Sequence, residues 1–492
     1  KIVSIGAQSA QAAEIEPTVT VSSTGVTIKP TETAIKVPVT VAPTAEPTEA
    51  PTATTVPKVT IEGVGEVGQQ EQAIITRALA TYRKAFNIPE TQIVNLLVER
   101  IIADGKTADL ILTEDGSPIA IRSEKGEWTR ADRNLAIMLG KKLGAMETGF
   151  WVLDPAYKGK EFMSILGTYF NGQASADLMW VAGYGRDLHP SETKYDFSVP
   201  DAVVNNAMRN GLKVNFQSMF WGDPVAYPKW LNAINNKDDF LRITSNYVDT
   251  ISKRYAGKVN SYVLVNEFFG YKGKEGVDGN LFQQQLNRFG IKASDFIADM
   301  STIIHNNDPS AHIAINDFGI EIPGTTDYYT NRVNLTDSLL KELKSNPKSF
   351  VDTVGFQLHL NAADFVDPKT SEQHYNDLID RIATLKSMEG MGYRVQATEM
   401  DVRMNELSKK SKAEQARIQE DIYYHITLAL LQAGVDTIDF WGIQDGDSFL
   451  EKATWLPNPA DANPLLFDDS LNLKRAYYGV LRALCDFAQH AS

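Results

Sequence analysis

Residues 261–270 read SYVLVNEFFG. The apolar, β-branched run Tyr262–Val265 is of the kind that fills a buried strand. Asn266 and Glu267 follow at once, and then two phenylalanines. A carboxylate set between large apolar groups is costly to ionise unless something partners it. Its place at the end of the run points to a structural ion pair or to a chemical task.

Runs of the same kind recur on both sides. From about residue 132 onward they are KLGAMET (142–148), MSILGTYFNG (163–172), LKVNFQSMFW (212–221), SYVLVNEF (261–268), AHIAINDFG (311–319), VDTVGFQLHL (351–360), YRVQATEMDV (393–402) and VDTIDFWGI (435–443). Helical stretches separate several of them, such as KDDFLRITSNYVDTISKRYAG (237–257) and EQARIQEDIYYHITLALLQAG (414–434). Repeated strand–helix units imply a parallel sheet. Eight strand candidates in one region predict an α/β fold, a (β/α)8 TIM barrel over residues 132–487. An open doubly wound sheet is the alternative, and no glycine-rich phosphate loop supports it.

The strand ends carry the chemistry. They bear Asn266 and Glu267, then Asn316 and Asp317, then Gln357 and His359, then Glu399 and Asp401, then Trp441 with Asp445 and Asp447 just beyond. In a barrel all C-terminal strand ends open on one face, so these groups converge. Two carboxyls among Asn, Gln, His and Trp suit glycosidic-bond hydrolysis. One must stay protonated to serve the leaving oxygen, and the other must be ionised. The apolar neighbour Phe268 helps raise the first. For Glu267 alone a structural pairing with Arg or Lys is an equal reading; a packed core position is the plain alternative for His359, Trp221 and Trp441, and their strand-end context favours the site.

The motifs taken together resemble glycoside hydrolase family 10, the endo-1,4-β-xylanases, from about residue 132 to 487. YVLVNEFF is similar to the family strand with an Asn–Glu pair, which implies that Glu267 is the general acid/base and that Asn266 binds a sugar hydroxyl. VQATEMDV resembles the nucleophile strand and implies that role for Glu399. VGFQLHL implies that Gln357 and His359 orient nucleophile and substrate, and FWGIQDGDSFL that Trp441 meets the sugar. PLLFDDSLNLKRAYYGVL resembles the closing segment. The resemblance implies net retention through a covalent glycosyl-enzyme.

Departures fall on the second and third strands. In FNGQASADLMWVAGYGRDLHP, Asp177 and Trp180 stand where the family has Asn and Trp, and the family's Glu and Lys have no counterpart. NFQSMFWGD keeps Trp221 but carries Gln217 and Gly222 at the histidine positions. Gln217 reads equally as a replacement donor or as packing. Phe449 stands where Trp is usual, with Trp455 as a substitute platform. These changes leave open another β-glycan, a transglycosylase, or a non-catalytic carbohydrate-binding barrel.

The remaining chain adds context. The net charge is −14 over 492 residues, which gives no general attraction for nucleic acid or anionic membranes. No run is long and apolar enough for a membrane span. Cys485 is the only cysteine, so an intrachain disulfide is excluded. The other histidines lack metal-ligand spacing, and neither metal nor cofactor is expected. A polysaccharide or oligosaccharide partner and a monomer are. Residues 1–57 form a Pro/Thr-rich stretch (TETAIKVPVTVAPTAEPTEAPTATTVP at 31–57) expected to be a disordered tether. KIVSIGAQSAQAAE at the start also reads as the remnant of a secretion signal, so an extracellular or surface-tethered location is expected. Residues 58–131 are expected to be a small α+β accessory module of unknown role, with helices at EQAIITRALATYRKAF (71–86) and TQIVNLLVERIIADG (91–105) and a hairpin at ADLILTEDGSPIAIRSEKGEW (108–128).

Overall fold

Eight parallel strands close on themselves in chain order. They are β1 (Lys142–Met146), β2 (Gly172–Ser175), β3 (Val214–Phe216, resumed at Phe220–Trp221), β4 (Val259–Asn266), β5 (His312–Asp317), β6 (Thr353–Phe356, resumed at His359–Asn361), β7 (Arg394–Arg403) and β8 (Thr437–Phe440). Each pairs with its successor, and β8 pairs back onto β1, with Phe440 opposite Ala145. The computed structural model describes residues 60–490 except 62–64, 91, 93, 104, 125, 148–158, 177–179, 181–186, 224–225, 270–280, 323–326 and 391. The Pro/Thr-rich stretch and Asp177 lie outside the described residues.

All eight residues of β4 are buried, as expected for a parallel strand covered on both faces. The covering helix Lys237–Tyr255 shows how. Asn236 caps it by accepting from the Asp239 N–H, and Phe240, Ile243, Tyr247, Val248, Ile251 and Tyr255 form one buried stripe. The helix Lys412–Gln432 is capped in the same way by Ser411. No helix among the described residues is long and apolar enough to cross a membrane.

Two expected elements differ. MSILGTYFNG is not the second strand: its first part lies in the helix Gly159–Tyr169, and β2 begins only at Gly172. Phe162, Ile165 and Leu166 are buried at helical spacing, and a short apolar run does not reveal its own period. Asn171 then starts the strand by accepting from the Leu143 N–H and donating to the Lys141 carbonyl. TQIVNLLVERIIADG is not a helix either. Residues Leu96–Ala103 form an edge strand paired antiparallel over its full length with Lys106–Thr113. The branched residues Val98, Ile101 and Ile102 suit a strand, and ladder pairing outweighs a weak helical pattern.

That strand belongs to a four-stranded antiparallel sheet with Pro118–Ser123 and Thr129–Arg130, and the helix Gln69–Phe86 packs on it. The hairpin turns at Gly116, whose φ of 80° favours glycine. The sheet and helix abut the barrel's last helix, Arg475–His490, where the Tyr82 ring meets Tyr478 edge-on at 5.3 Å. One connected cluster of buried apolar residues joins this helix and sheet to the barrel, with Leu450, Ala453, Leu456 and Ala462 forming a second, separate one.

Part of the barrel interior is polar. Asp439 of β8 accepts from Asn215 Nδ2 of β3 at 2.6 Å, and Asn215 Oδ1 accepts from Asn260 and Ser261 of β4. Lys142 of β1 donates to Asn260. Gly144 is obligatory here, because a Cβ would collide with Asp439 Oδ1. Burial pushes the Asp439 carboxyl up to about 7, against the opposing effects of Asn215 and Lys142. The folded value lies above the unfolded one of about 3.9. Its stabilising share is therefore complete below pH ~4 and is lost as pH rises towards ~7, at about 1.4 kcal/mol per unit. The urea midpoint of Asp439→Asn should accordingly change less between pH 4 and 7 than that of the natural protein; parallel profiles would contradict this.

Candidate active site

The two strands that deliver the carboxyls are both irregular. Between Val263 and Val265 β4 carries one residue more than β5, and between Ala397 and Met400 β7 carries one more than β8. Such bulges re-aim the side chains that follow. Glu267, just past β4, has φ of 52°, and its N–H is held by the Asn316 carbonyl at 3.0 Å. Leu358, with φ of 59°, bends β6 between Gln357 and His359. Left-handed backbone at non-glycine residues is costly, and here it sits where the site needs it.

Side-chain amides join the carboxyls. Gln357 Nε2 donates to Glu267 Oε1 at 2.9 Å and to Asn266 Oδ1 at 3.2 Å. Asn316 Nδ2 donates to the same Asn266 oxygen at 2.9 Å and to Glu399 Oε1 at 2.7 Å. His359 lies between Glu399 Oε2 (3.2 Å from Nε2) and Asp401 Oδ2 (2.8 Å from Nδ1). Asp317 pairs with the buried Arg332, whose guanidinium stacks on Phe318 at 3.9 Å.

The two carboxyls experience different surroundings. Burial pushes Glu267 up to about 7, and the neutral donors Gln357 and Trp221 only partly offset it. Burial also pushes Glu399 upward, but the His359 cation and the Asn316 amide hold it back. Burial alone would neutralise His359, yet Asp401 and Glu399 raise it well above the usual imidazole range. The arrangement gives the cationic partner to Glu399 alone and so favours the proton on Glu267, which is how two like groups acquire different tasks.

Of the sequence candidates, Glu267, Glu399, Asn266, Gln357 and His359 are brought into this one network. Gln217 is buried beside it, with Nε2 donating to the Thr398 carbonyl at 3.1 Å. Trp221 is half-buried after β3, with its carbonyl accepting from the Tyr227 hydroxyl at 2.6 Å. Trp441 is half-buried at the end of β8. Trp455 is 45% exposed on the following loop, and Phe449 stands edge-on to the His359 ring at 5.2 Å. Trp180, which stands where the family has Trp, is not open to a sugar. It is fully buried, stacks on Tyr247 at 4.0 Å and donates to the Met219 carbonyl, so it belongs to the helix–barrel packing. Asp445 pairs with Lys474 and accepts from the Leu465 N–H, which ties the eighth-strand loop to the closing segment.

Three contributions were not read from the sequence: the donation of Asn316 to Glu399, the hold of Asp401 on His359, and the Thr398 hydroxyl that reaches Asn316 Oδ1 at 2.6 Å. Asp401 had a signal, since it lies two residues past Glu399 on one strand face.

The fold and site define a (β/α)8 barrel with a paired-carboxyl centre at its C-terminal mouth. The chain matches the model of glycosyl hydrolase family 10 over residues 166–483 and belongs to that family. It is 27% identical over 373 residues to endo-1,4-beta-xylanase C of Paenibacillus barcinonensis, covering 70% of this chain and 31% of that protein. It is also 27% identical over 303 residues to a beta-1,4-xylanase of Dictyoglomus thermophilum, covering 60% and 78%. The chain spans 31%, 23% and 48% of the length of the first three curated relatives it matches. Native xylanase 10B from Thermotoga maritima superposes with a TM-score of 0.60 at 22% identity, over 73% of this chain and 99% of that one, which speaks for the fold.

A carboxyl titration followed by 13C NMR should place the Glu267 midpoint near about 7. The Gln357 N–H favours the ionised form, so Gln357→Ala should raise that midpoint further. A midpoint in the ordinary range of about 4 would refute the assignment.

Proposed function

We propose that this protein is a retaining glycoside hydrolase that cleaves β-1,4 linkages in xylan by double displacement. The observation that carries the reading is the unequal environment of the two carboxyls. In the first step protonated Glu267 gives its proton to the leaving glycosidic oxygen while Glu399 attacks the anomeric carbon. In the second step Glu267, now ionised, takes a proton from water, which displaces Glu399 and releases the sugar with retained configuration. The His359 cation, held by Asp401, keeps Glu399 ionised before attack and makes it a better leaving group afterwards. Asn266 lies between the carboxyls, where it meets a sugar hydroxyl, and Trp221 and Trp441 offer apolar faces to the ring. Asp177 and Trp455 complete the proposed substrate contacts.

Family membership and the xylanases among the relatives support the substrate class. A second reading, action on a different β-glycan, is favoured by Gln217. Its amide is engaged with Thr398, so it is not offered to a sugar as a free donor. A non-catalytic sugar-binding barrel is disfavoured by the high pKa of Glu267, which binding alone does not call for. The Pro/Thr-rich residues 15–57 support an extracellular or surface-tethered location for what we read as a monomer.

The test is reducing-end release from xylan, arabinoxylan, mixed-linkage glucan, cellulose and mannan, with Glu399→Ala in parallel. Release from xylans should fall by several orders of magnitude in the variant. The first product should carry the β-anomeric configuration by 1H NMR. Release from another glycan alone would move the specificity, an initial α-product would exclude double displacement, and binding without release would leave a sugar-binding protein.

A further inference from the structure

Under the nucleophile lies a closed ring of hydrogen bonds. Gln217 Nε2 donates to the Thr398 carbonyl at 3.1 Å, Asn316 Nδ2 approaches Gln217 Oε1 at 3.4 Å, and the Thr398 hydroxyl reaches Asn316 Oδ1 at 2.6 Å. The three residues are 3%, 0% and 1% exposed for Gln217, Asn316 and Thr398 respectively. Gly355 leaves the space, since a Cβ there would meet Asn316 Oδ1 and the Thr398 methyl group.

We propose that Gln217 and Thr398 are positioning residues that fix the direction of the Asn316 amide, and through it the state of Glu399. A backbone carbonyl can only accept. The Thr398 carbonyl therefore demands the NH2 end of Gln217 and leaves the Gln217 oxygen facing Asn316. That oxygen in turn demands the NH2 end of Asn316, which is the end that donates to Glu399 Oε1 at 2.7 Å. The Thr398 hydroxyl, which also reaches the Phe356 carbonyl at 3.1 Å, meets the opposite end and anchors it without by itself choosing its direction. Were Asn316 turned over, its carbonyl oxygen would face Glu399 Oε1, Asn266 Oδ1 and Gln217 Oε1, three acceptors with no proton between them. The polarity of one main-chain carbonyl is thus passed through two side-chain amides to the nucleophile. A leucine at position 217 breaks the relay without touching the carboxyl itself.

The proposal rests on Glu399 being the nucleophile, and the readouts separate the two ideas. Gln217→Leu should lower kcat on xylan about tenfold with KM little changed. It should also raise the Glu399 midpoint in a 13C carboxyl titration by about one unit, because a donor to the ionised form is lost. Thr398→Val should act in the same direction, and Thr398→Ser, which keeps the hydroxyl, should restore both values. An unchanged Glu399 midpoint in folded Gln217→Leu, or an effect on KM alone, overturns the proposal. If Gln217→Leu does not fold, identical Glu399 midpoints in Thr398→Val and Thr398→Ser overturn it instead. Should the natural protein cleave no glycan, the catalytic reading fails while the titration still decides the relay.

Discussion

The positive charge on His359 is the constraint on which the site depends. Two buried carboxyls close to one another do not both ionise without a counter-charge. Here the counter-charge is given to only one of them. Asp401, fully buried on the strand that carries Glu399, fixes one imidazole nitrogen and directs the other at Glu399. Glu267 receives only neutral partners. The result is a site whose two carboxyls face unequal fields, prepared before any substrate arrives. The same imidazolium explains why Asp401 is conspicuous in the structure without facing the opening: its work is done through His359.

Beneath this layer the barrel remains polar. Asn215 lies two residues before Gln217 on β3, and Asp439 two residues before Trp441 on β8. Strand alternation therefore puts each pair on one face, with the first member about 7 Å deeper. Barrel interiors are usually filled by branched apolar residues, which cost nothing to bury. The polar filling here is sustained because it is almost wholly bonded: Asn215 serves Asp439, Asn260 and Ser261 together. Asp439 Oδ1 and Gln396 Nε2 are among the buried atoms with no hydrogen-bond partner among the described residues, and the Asp439 carboxyl holds its proton towards neutral pH. A bonded floor confines the strand ends above it more tightly than a sliding apolar one, because hydrogen bonds have direction and dispersion contacts do not.

Much of this was legible in the chain, for identifiable reasons. The parallel barrel followed from apolar runs separated by helices, and the carboxyl pair from polar residues placed where those runs stop. Such features are local, so a sequence displays them. MSILGTYFNG misled because an apolar stretch is compatible with both periods, and only the position of Asn171 against β1 starts the strand late. TQIVNLLVERIIADG misled because its structure is decided by a partner strand and not by its own spacing. The bulges in β4 and β7 were invisible for a related reason, since a register shift is a relation between two strands. Without the second bulge, Thr398 and Glu399 would point to opposite faces by simple alternation. With it, both enter one network.

Gln217 shows what such a network does to substitution. A residue at this position can serve the substrate or the protein, and the number of hydrogen bonds it can make is fixed. An amide has both a donor and an acceptor end, so it can sit between a carbonyl and another amide and carry direction from one to the other. Once both ends are engaged inside the wall, the residue is spent as a sugar contact. The glycone side must then obtain its donors elsewhere, or bind less of the sugar. A change at a single strand end thus couples two properties that are usually considered apart. On the proposed reading, the side chain that steadies Glu399 is no longer available to a substrate at the third strand.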